Sequence, residues 1–140
     1  DTGMKKVEVA NLKKEYVDLS NAAEPFLYAR YPEKKDWPKE RKLKLTPEWV
    51  EIYRDYLAEY APKDVVFTWS VRKLEYALGD TGRAAGLEKN VSFDMMRWTC
   101  AVRDNKSGME EDALRRKLGL SPIQWRETGE RIRKLVEGVE

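Results

Sequence analysis

Residues 91–135 decide the fold, and they read VSFDMMRWTCAVRDNKSGMEEDALRRKLGLSPIQWRETGERIRKL. Apolar residues recur at helical spacing along this stretch, and helix-ending and helix-starting residues separate the periodic segments. Gly119 is suited to the end of one helix, while Ser121 and Pro122 are suited to the cap and first position of the next. The stretch therefore predicts three consecutive helices, the first carrying Arg97, with a tight Leu-Gly-Leu-Ser turn before the third.

The helix that carries Arg97 is predicted to begin at Ser92, or one turn later with Asp94 in the capping role. It is apolar on nearly every side, which indicates burial. The residues behind that expectation are Met95, Met96, Thr99, Cys100 and Val102.

The first half of the chain predicts a small sheet between helices. An amphipathic helix is expected over residues 5–13, and Thr46-Pro47 begins a second helix that ends before Pro62. Ser70 is expected to cap a third helix that runs towards residue 85. Three strands are expected at residues 16–19, 25–30 and 41–45, with a hairpin loop between the last two. The predicted fold class is α+β, a mostly helical single domain over residues 1–140 with a three-stranded antiparallel sheet near the N-terminus.

Composition excludes several kinds of site. The chain has 140 residues, 41% of them hydrophobic, which suits one ordinary domain. It has no histidine and one cysteine, so neither a Cys/His zinc site nor a Ser-His-Asp or Cys-His triad can form. We expect no metal and no cofactor. Without a disulfide, a signal peptide or an apolar run of about 20 residues, the sequence predicts a cytoplasmic protein outside the membrane.

Charge is abundant but nearly balanced, with 27 basic and 25 acidic residues. This composition is also typical of thermophile proteins. Residues 30–44 form the exception, because they carry seven basic and three acidic side chains. Two interpretations stay open for this basic segment, a solvated loop and strand or a surface that binds phosphates.

The order of motifs along the chain resembles the catalytic domain of the tyrosine recombinase (phage integrase) family. Residues 1–19 are similar to its T-G-[LM]-R-x-x-E-x-x-x-L segment, with Lys5 at the first catalytic arginine. Residues 38–45, PKERKLKL, are similar to its K-x-R-x-V-P-L strand. The hairpin before that strand carries a catalytic lysine in the family, which the resemblance assigns to Lys35, with Lys34 and Lys39 as alternatives.

The resemblance continues through the second half of the chain. FDMMRWTCA is similar to H-x-L-R-x-T-x-A, which makes Arg97 the second catalytic arginine and places Asp94 at the histidine. LGLSPIQWRETG is similar to L-G-H-S-x-I-x-x-T-x-x-Y, with Leu120 at the second histidine and Gly129 at the nucleophilic tyrosine. The family's domain usually has one or two further helices before the first motif.

In that family, two arginines hold the non-bridging phosphate oxygens and the tyrosine forms a covalent link to DNA. Here Lys5 offers a point charge instead of a guanidinium fork, and no tyrosine follows Tyr76. Asp94 opposes anion binding unless it pairs with Arg97, three residues away on the same helix. Thr128 is a poor substitute nucleophile, because its alkoxide is a worse leaving group than a phenolate.

Three hypotheses follow from these residues. The first is a DNA-binding domain of a site-specific recombinase or integrase that cannot cut DNA alone. The second is an active recombinase domain whose tyrosine comes from a partner protomer or from beyond this sequence. The third is a structural or interaction module without catalysis. The first hypothesis makes double-stranded DNA the partner, and it allows a homo-oligomer through residues 129–140. Lys5 would be a weaker phosphate contact. The main phosphate contacts would be Lys34, Lys35, Lys39, Arg41 and Arg97.

Overall fold

Helices make up most of the fold, and a small sheet lies near its N-terminus. A computed structural model describes residues 1–138. Within that span the strands are β1 (Val17–Asp18), β2 (Phe26–Ala29) and β3 (Arg41–Lys44). The α-helices are α1 (Lys6–Ala10), α2 (Pro47–Tyr60), α3 (Val71–Ala84), α4 (Phe93–Lys106), α5 (Glu111–Lys117) and α6 (Pro122–Val136). Two 3₁₀ turns occupy Lys14–Tyr16 and Lys34–Lys39. The predicted α+β architecture is confirmed.

Hydroxyl caps fix where four of the helices begin. In each, a side-chain oxygen accepts a hydrogen bond from the backbone N–H three residues later, at 3.2 Å. Such a cap stabilises a helix by about 1 kcal/mol. The cap of α4 is Ser92 and not Asp94, which lies in the first turn. The four caps are Thr46, Ser70, Ser92 and Ser121.

The sheet is antiparallel in the order β1-β2-β3. Leu27 lies opposite Leu43 and both are buried, while Lys42 and Lys44 face solvent. The helix expected over residues 5–13 is shorter than predicted. It ends at Ala10, because the next residues turn to pair with the segment before α3, where the Val66 N–H donates to the Leu12 carbonyl at 2.9 Å. A tertiary contact thus overrides local helical periodicity.

Two apolar clusters form the core. The first packs the sheet against α2 and includes Leu12, Leu27, Leu43, Tyr53 and Val66. The second joins α4, α5 and α6 through Ala101, Leu114, Leu118 and Ile132. The candidate site lies where the half of the domain built on the sheet and α2 meets the half built on α4, α5 and α6.

The expectation that α4 is buried on nearly every side is wrong. Met95 and Met96 are 37% and 51% exposed, and Cys100 and Ala101 are the buried residues of the helix. The reason is that α4 packs against α5 and α6 along one side, so the rest of its surface meets solvent. No helix among residues 1–138 is long and apolar enough to cross a bilayer.

Candidate nucleic-acid interface

Three cationic side chains converge on the C-terminal end of α5. The last carbonyls of a helix have no partner within it and carry the negative end of its dipole. Here three successive carbonyls each accept a hydrogen bond from a cation of a distant segment. The bonds join Arg41 Nε to Lys117 O at 2.6 Å, Arg97 Nη2 to Leu118 O at 3.0 Å, and Lys5 Nζ to Gly119 O at 3.1 Å. The fold itself therefore gathers positive charge at this point.

One buried carboxylate balances part of that charge. Glu8 is 2% exposed and forms a bidentate pair with Arg41. Arg41 Nη1 donates to Glu8 Oε2 at 2.6 Å and Nη2 donates to Oε1 at 2.8 Å. The Tyr31 hydroxyl and the Lys5 backbone N–H also donate to the same carboxylate. With Lys5, Arg41 and Arg97 around a single acid, the cluster remains positively charged.

The pKa values of this cluster follow from burial and pairing. Burial raises the pKa of Glu8, but the hydrogen bonds and charge of Arg41, with those from Tyr31 and Lys5, bring it below its ordinary value. Burial, and then the bond to Glu8, raises the pKa of the Tyr31 hydroxyl. Burial lowers the pKa of Lys5, and the nearby charges of Arg97 and Arg41 act in the same direction.

A cleft of about 210 Å³ opens beside Arg97. Three of the site residues predicted from the family positions line it, namely Asp94, Arg97 and Leu120. Thr128, next to Gly129, lines it too. The structure therefore brings these predicted positions together, although they are far apart in the sequence. The remaining lining residues are Trp98, Leu118 and Arg131.

Asp94 and Arg97, which could have formed an ion pair on one face of α4, are not paired in the described part of the chain. Asp94 is exposed, whereas Arg97 is half-buried and donates Nη1 to the Gly3 carbonyl at 2.9 Å. Burial lowers the pKa of Arg97, which stays protonated as arginines do. Its two carbonyl contacts hold the guanidinium at the edge of the cleft.

A second, larger cleft of about 480 Å³ separates the loop before β3 from the turn between α5 and α6. Basic side chains dominate its lining: Lys35, Lys39, Arg41, Arg115 and Arg116. Lys35 pairs with Glu33 at 3.1 Å and Lys39 with Asp36 at 2.8 Å, in surface ion pairs that solvent screens. Such weak pairs leave both lysines available to other anions.

The predicted phosphate contacts thus fall into two groups. Lys34, Lys35 and Lys39 are exposed, and Lys34 lies over the Trp37 ring at 5.8 Å. Arg41, in contrast, has a side chain only 10% exposed and is committed to Glu8. Three basic residues of the clefts were not predicted from the sequence: Arg115, Arg116 and Arg131. Two of them, Arg115 and Arg116, belong to a basic run directly before the Leu-Gly-Leu-Ser turn, which is a signal that could have identified them.

Gly129 lies buried inside α6, and Trp125 occupies the space above it. A Cβ at position 129 would lie 2.8 Å from Trp125 Cε2 and 2.9 Å from Nε1. No tyrosine side chain fits there unless the indole moves. Tyr31 does reach the cation cluster, but its hydroxyl is bound to the fully buried Glu8 and its pKa is raised, so it is not a poised nucleophile. Residues 1–138 hold no group of three or more side chains suited to a metal.

Comparison with known proteins places this geometry in a fold. No family model matches the chain, and no curated protein matches it. Among solved structures, the crystal structure of XerA recombinase superimposes with a TM-score of 0.74 at 23% identity, over 94% of this chain and 54% of that one. The chain therefore shares the fold of that part of XerA recombinase. It spans about half the length of XerA recombinase, and at this identity the likeness concerns the fold alone.

The Glu8→Gln variant should be less stable by about 3–5 kcal/mol at neutral pH, since Arg41 loses its carboxylate in a buried site. Because the pKa of Glu8 is lower in the folded state, its contribution is present above the ordinary glutamate pKa of about 4.3. That contribution is lost as the pH falls through the folded-state value. Urea denaturation across this range should show the gap between wild type and variant closing in acid.

Glu75→Gln is the matched control, because Glu75 pairs with Lys6 at 2.9 Å on the exposed surface. It should leave stability nearly unchanged, because solvent and salt screen an exposed pair. A gap for Glu8→Gln that stays constant with pH would contradict the assigned role of its charge.

The Gly129→Ala variant should be destabilised by about 1–3 kcal/mol through overpacking against Trp125. A gain of about 0.5–1 kcal/mol from replacing a helical glycine offsets part of this loss. Adding Trp125→Phe removes the contacting indole atoms, so thermal denaturation of the double variant should show a loss smaller than the sum of the two single losses. Strict additivity would show that position 129 has room.

Proposed function

We propose that this chain is a DNA-binding domain of the recombinase type that contacts phosphates and does not cut DNA by itself. One observation carries the proposal: the two positions that the family resemblance assigns to phosphate-holding arginines, Lys5 and Arg97, meet at the same helix end. Gly119, whose carbonyl accepts from Lys5, also lines the cleft beside the basic loop before β3. The fold it shares with XerA recombinase supports double-stranded DNA as the partner.

The chemistry of the clefts suits a phosphate backbone. Lys35 and Lys39 are exposed and engaged only in weak surface pairs. Arg97 has more N–H donors than its two carbonyl partners use, and it lines the cleft. We assign Arg41 to the support of this surface instead of to direct contact, because Glu8 and the Lys117 carbonyl occupy its guanidinium.

Four residues of the candidate site differ from those with which the family cleaves DNA strands, which disfavours cleavage by this chain alone. Lys5, Asp94, Leu120 and Gly129 stand where the family has an arginine, two histidines and the tyrosine. Neither a proton shuttle nor a nucleophile is therefore supplied by these residues.

A tyrosine supplied by a partner protomer is the second candidate. Oligomerisation through residues 129–140 stays a proposal. α6 packs on its own α4 and α5, and residues 139–140 of that segment lie outside the described residues. The third hypothesis, a module without DNA contact, predicts that the basic loop has no ligand.

Binding to a labelled duplex of mixed sequence should weaken steeply with salt. The double variant Lys35→Ala/Lys39→Ala should lose affinity and reduce the slope of log K against log salt by about 2, one counterion for each lost contact. Fluorescence anisotropy over a salt series measures both quantities, and circular dichroism checks that helicity is unchanged.

Lys63→Ala/Lys89→Ala is the matched control, because it removes the same charge from exposed lysines that line neither basic cleft. It should leave the slope unchanged. Absence of binding at low salt, or equal losses in both double variants, would refute a specific phosphate surface and favour the third hypothesis.

The chain alone should form no covalent adduct with DNA, because Gly129 replaces the nucleophile. A nicked duplex that prevents rejoining, followed by a denaturing gel, detects such adducts, with an active tyrosine recombinase as the positive control. An adduct with this chain alone would overturn the proposed inactivity. An adduct that requires a tyrosine-bearing partner would favour the second candidate.

A further inference from the structure

The basic loop of residues 31–40 has no apolar anchor in the core. Neither apolar cluster contains a residue of this loop, and Trp37, its largest side chain, is 50% exposed. Cohesion within the loop comes from polar contacts. The Tyr31 N–H donates to Glu40 Oε2 at 2.8 Å, and Trp37 Nε1 donates to the Tyr31 carbonyl at 3.1 Å. Polar contacts at the two ends of the loop therefore connect it to the rest of the fold.

Both ends of the loop meet at one carboxylate oxygen. Tyr31 begins the loop and Arg41 follows its last residue, and both donate to Glu8 Oε2. The same Nη1 atom of Arg41 donates to the Lys39 carbonyl at 3.0 Å, which extends the connection to a lysine of the basic cleft. Glu8 thus ties the two ends of the loop to each other and to α1.

Glu8 is itself held rigidly. Its Oε1 accepts from the N–H of Lys5, the residue before α1, at 2.8 Å and from Arg41 Nη2 at 2.8 Å. The side chain has no exposed surface, so solvent cannot replace a lost donor. A buried charge of this kind keeps its hydrogen-bond partners in place, because an unpaired one is costly.

We infer that Glu8 is a positioning residue which, through Tyr31 and Arg41, holds the basic loop in the conformation that presents Lys35 and Lys39 to a DNA phosphate backbone. The inference rests on the proposed function, since it concerns how the same surface is presented. Glu8 does not touch DNA in this arrangement. It acts through the geometry of the loop.

Tyr31→Phe tests the inference because it removes one donor without changing any charge or the size of the ring. Hydrogen exchange of the backbone amides of residues 32–40 should become about fivefold faster, as expected for the loss of one hydrogen bond. Affinity for the labelled duplex should fall by a similar factor or less at low salt. Exchange in α4 and α6 should not change.

Tyr56→Phe is the matched control. It also removes one hydroxyl hydrogen bond, from Tyr56 to the Val66 carbonyl at 2.9 Å, but in the helix α2. It should leave both the exchange of residues 32–40 and the DNA affinity unchanged. A purely structural loss of stability would affect the two variants alike.

The outcomes separate this inference from the proposed function. Faster loop exchange together with weaker DNA binding, in Tyr31→Phe only, supports the positioning role. Unchanged loop exchange overturns it, whatever the lysine variants do to DNA binding. Faster exchange with undiminished affinity also overturns it, because the loop would then move without consequence for the ligand. Failure of the lysine variants to weaken binding would instead refute the proposed function.

Discussion

The buried pair between Glu8 and Arg41 is the interaction on which the arrangement of the domain depends. Within the described chain, Glu8 is the only charged residue that is buried. Its carboxylate belongs to α1, its guanidinium partner to β3, and that guanidinium also holds the end of α5 through the Lys117 carbonyl. Desolvation makes such a pair a doubtful source of net stability, but breaking it is costly. The pair therefore acts mainly by specifying how the sheet half and the helical half meet.

The same helix end explains why positive charge can accumulate beside this pair. Lys5, Arg41 and Arg97 repel one another, yet each donates to a carbonyl of the last residue of α5 or of the two residues after it. The helix dipole and Glu8 together offset their repulsion. The positive charge of Lys5, Arg41 and Arg97 therefore has a structural role at this point of the fold.

Local sequence was sufficient for much of the fold. Thr46, Ser70 and Ser121 cap helices as predicted, since a cap depends on residues within one turn. The burial of α4 was predicted wrongly, because periodicity reports which residues are apolar and not whether neighbours cover them. The role of Glu8 was out of reach for a related reason. Its partners Tyr31 and Arg41 lie 23 and 33 residues away, and no local pattern encodes those contacts.

For the predicted site residues, the sequence indicated which positions lie together but not which side chains are exposed. The motifs identified three residues that line one cleft, namely Asp94, Arg97 and Leu120. They could do so because positions matched to one fold occupy the same places in it. Motif spacing could not show that Arg41 is enclosed whereas Lys35 and Lys39 are free of the core. Exposure depends on the packing of β3 against α5, which a linear motif does not contain.

The surroundings of Gly129 explain why the interior of a helix carries a glycine at this position. A glycine inside a helix costs about 0.5–1 kcal/mol relative to alanine, so a reason is needed for its presence in α6. The indole of Trp125 supplies one, because its ring atoms lie where a Cβ would be. The space above position 129 is therefore filled by a neighbouring side chain and not left vacant. Packing of Trp125 thus fixes the residue type at position 129, whereas hydrogen bonds between Glu8, Arg41 and the Lys117 carbonyl fix the cations at the end of α5. Steric and electrostatic constraints therefore act at two different points of the same domain.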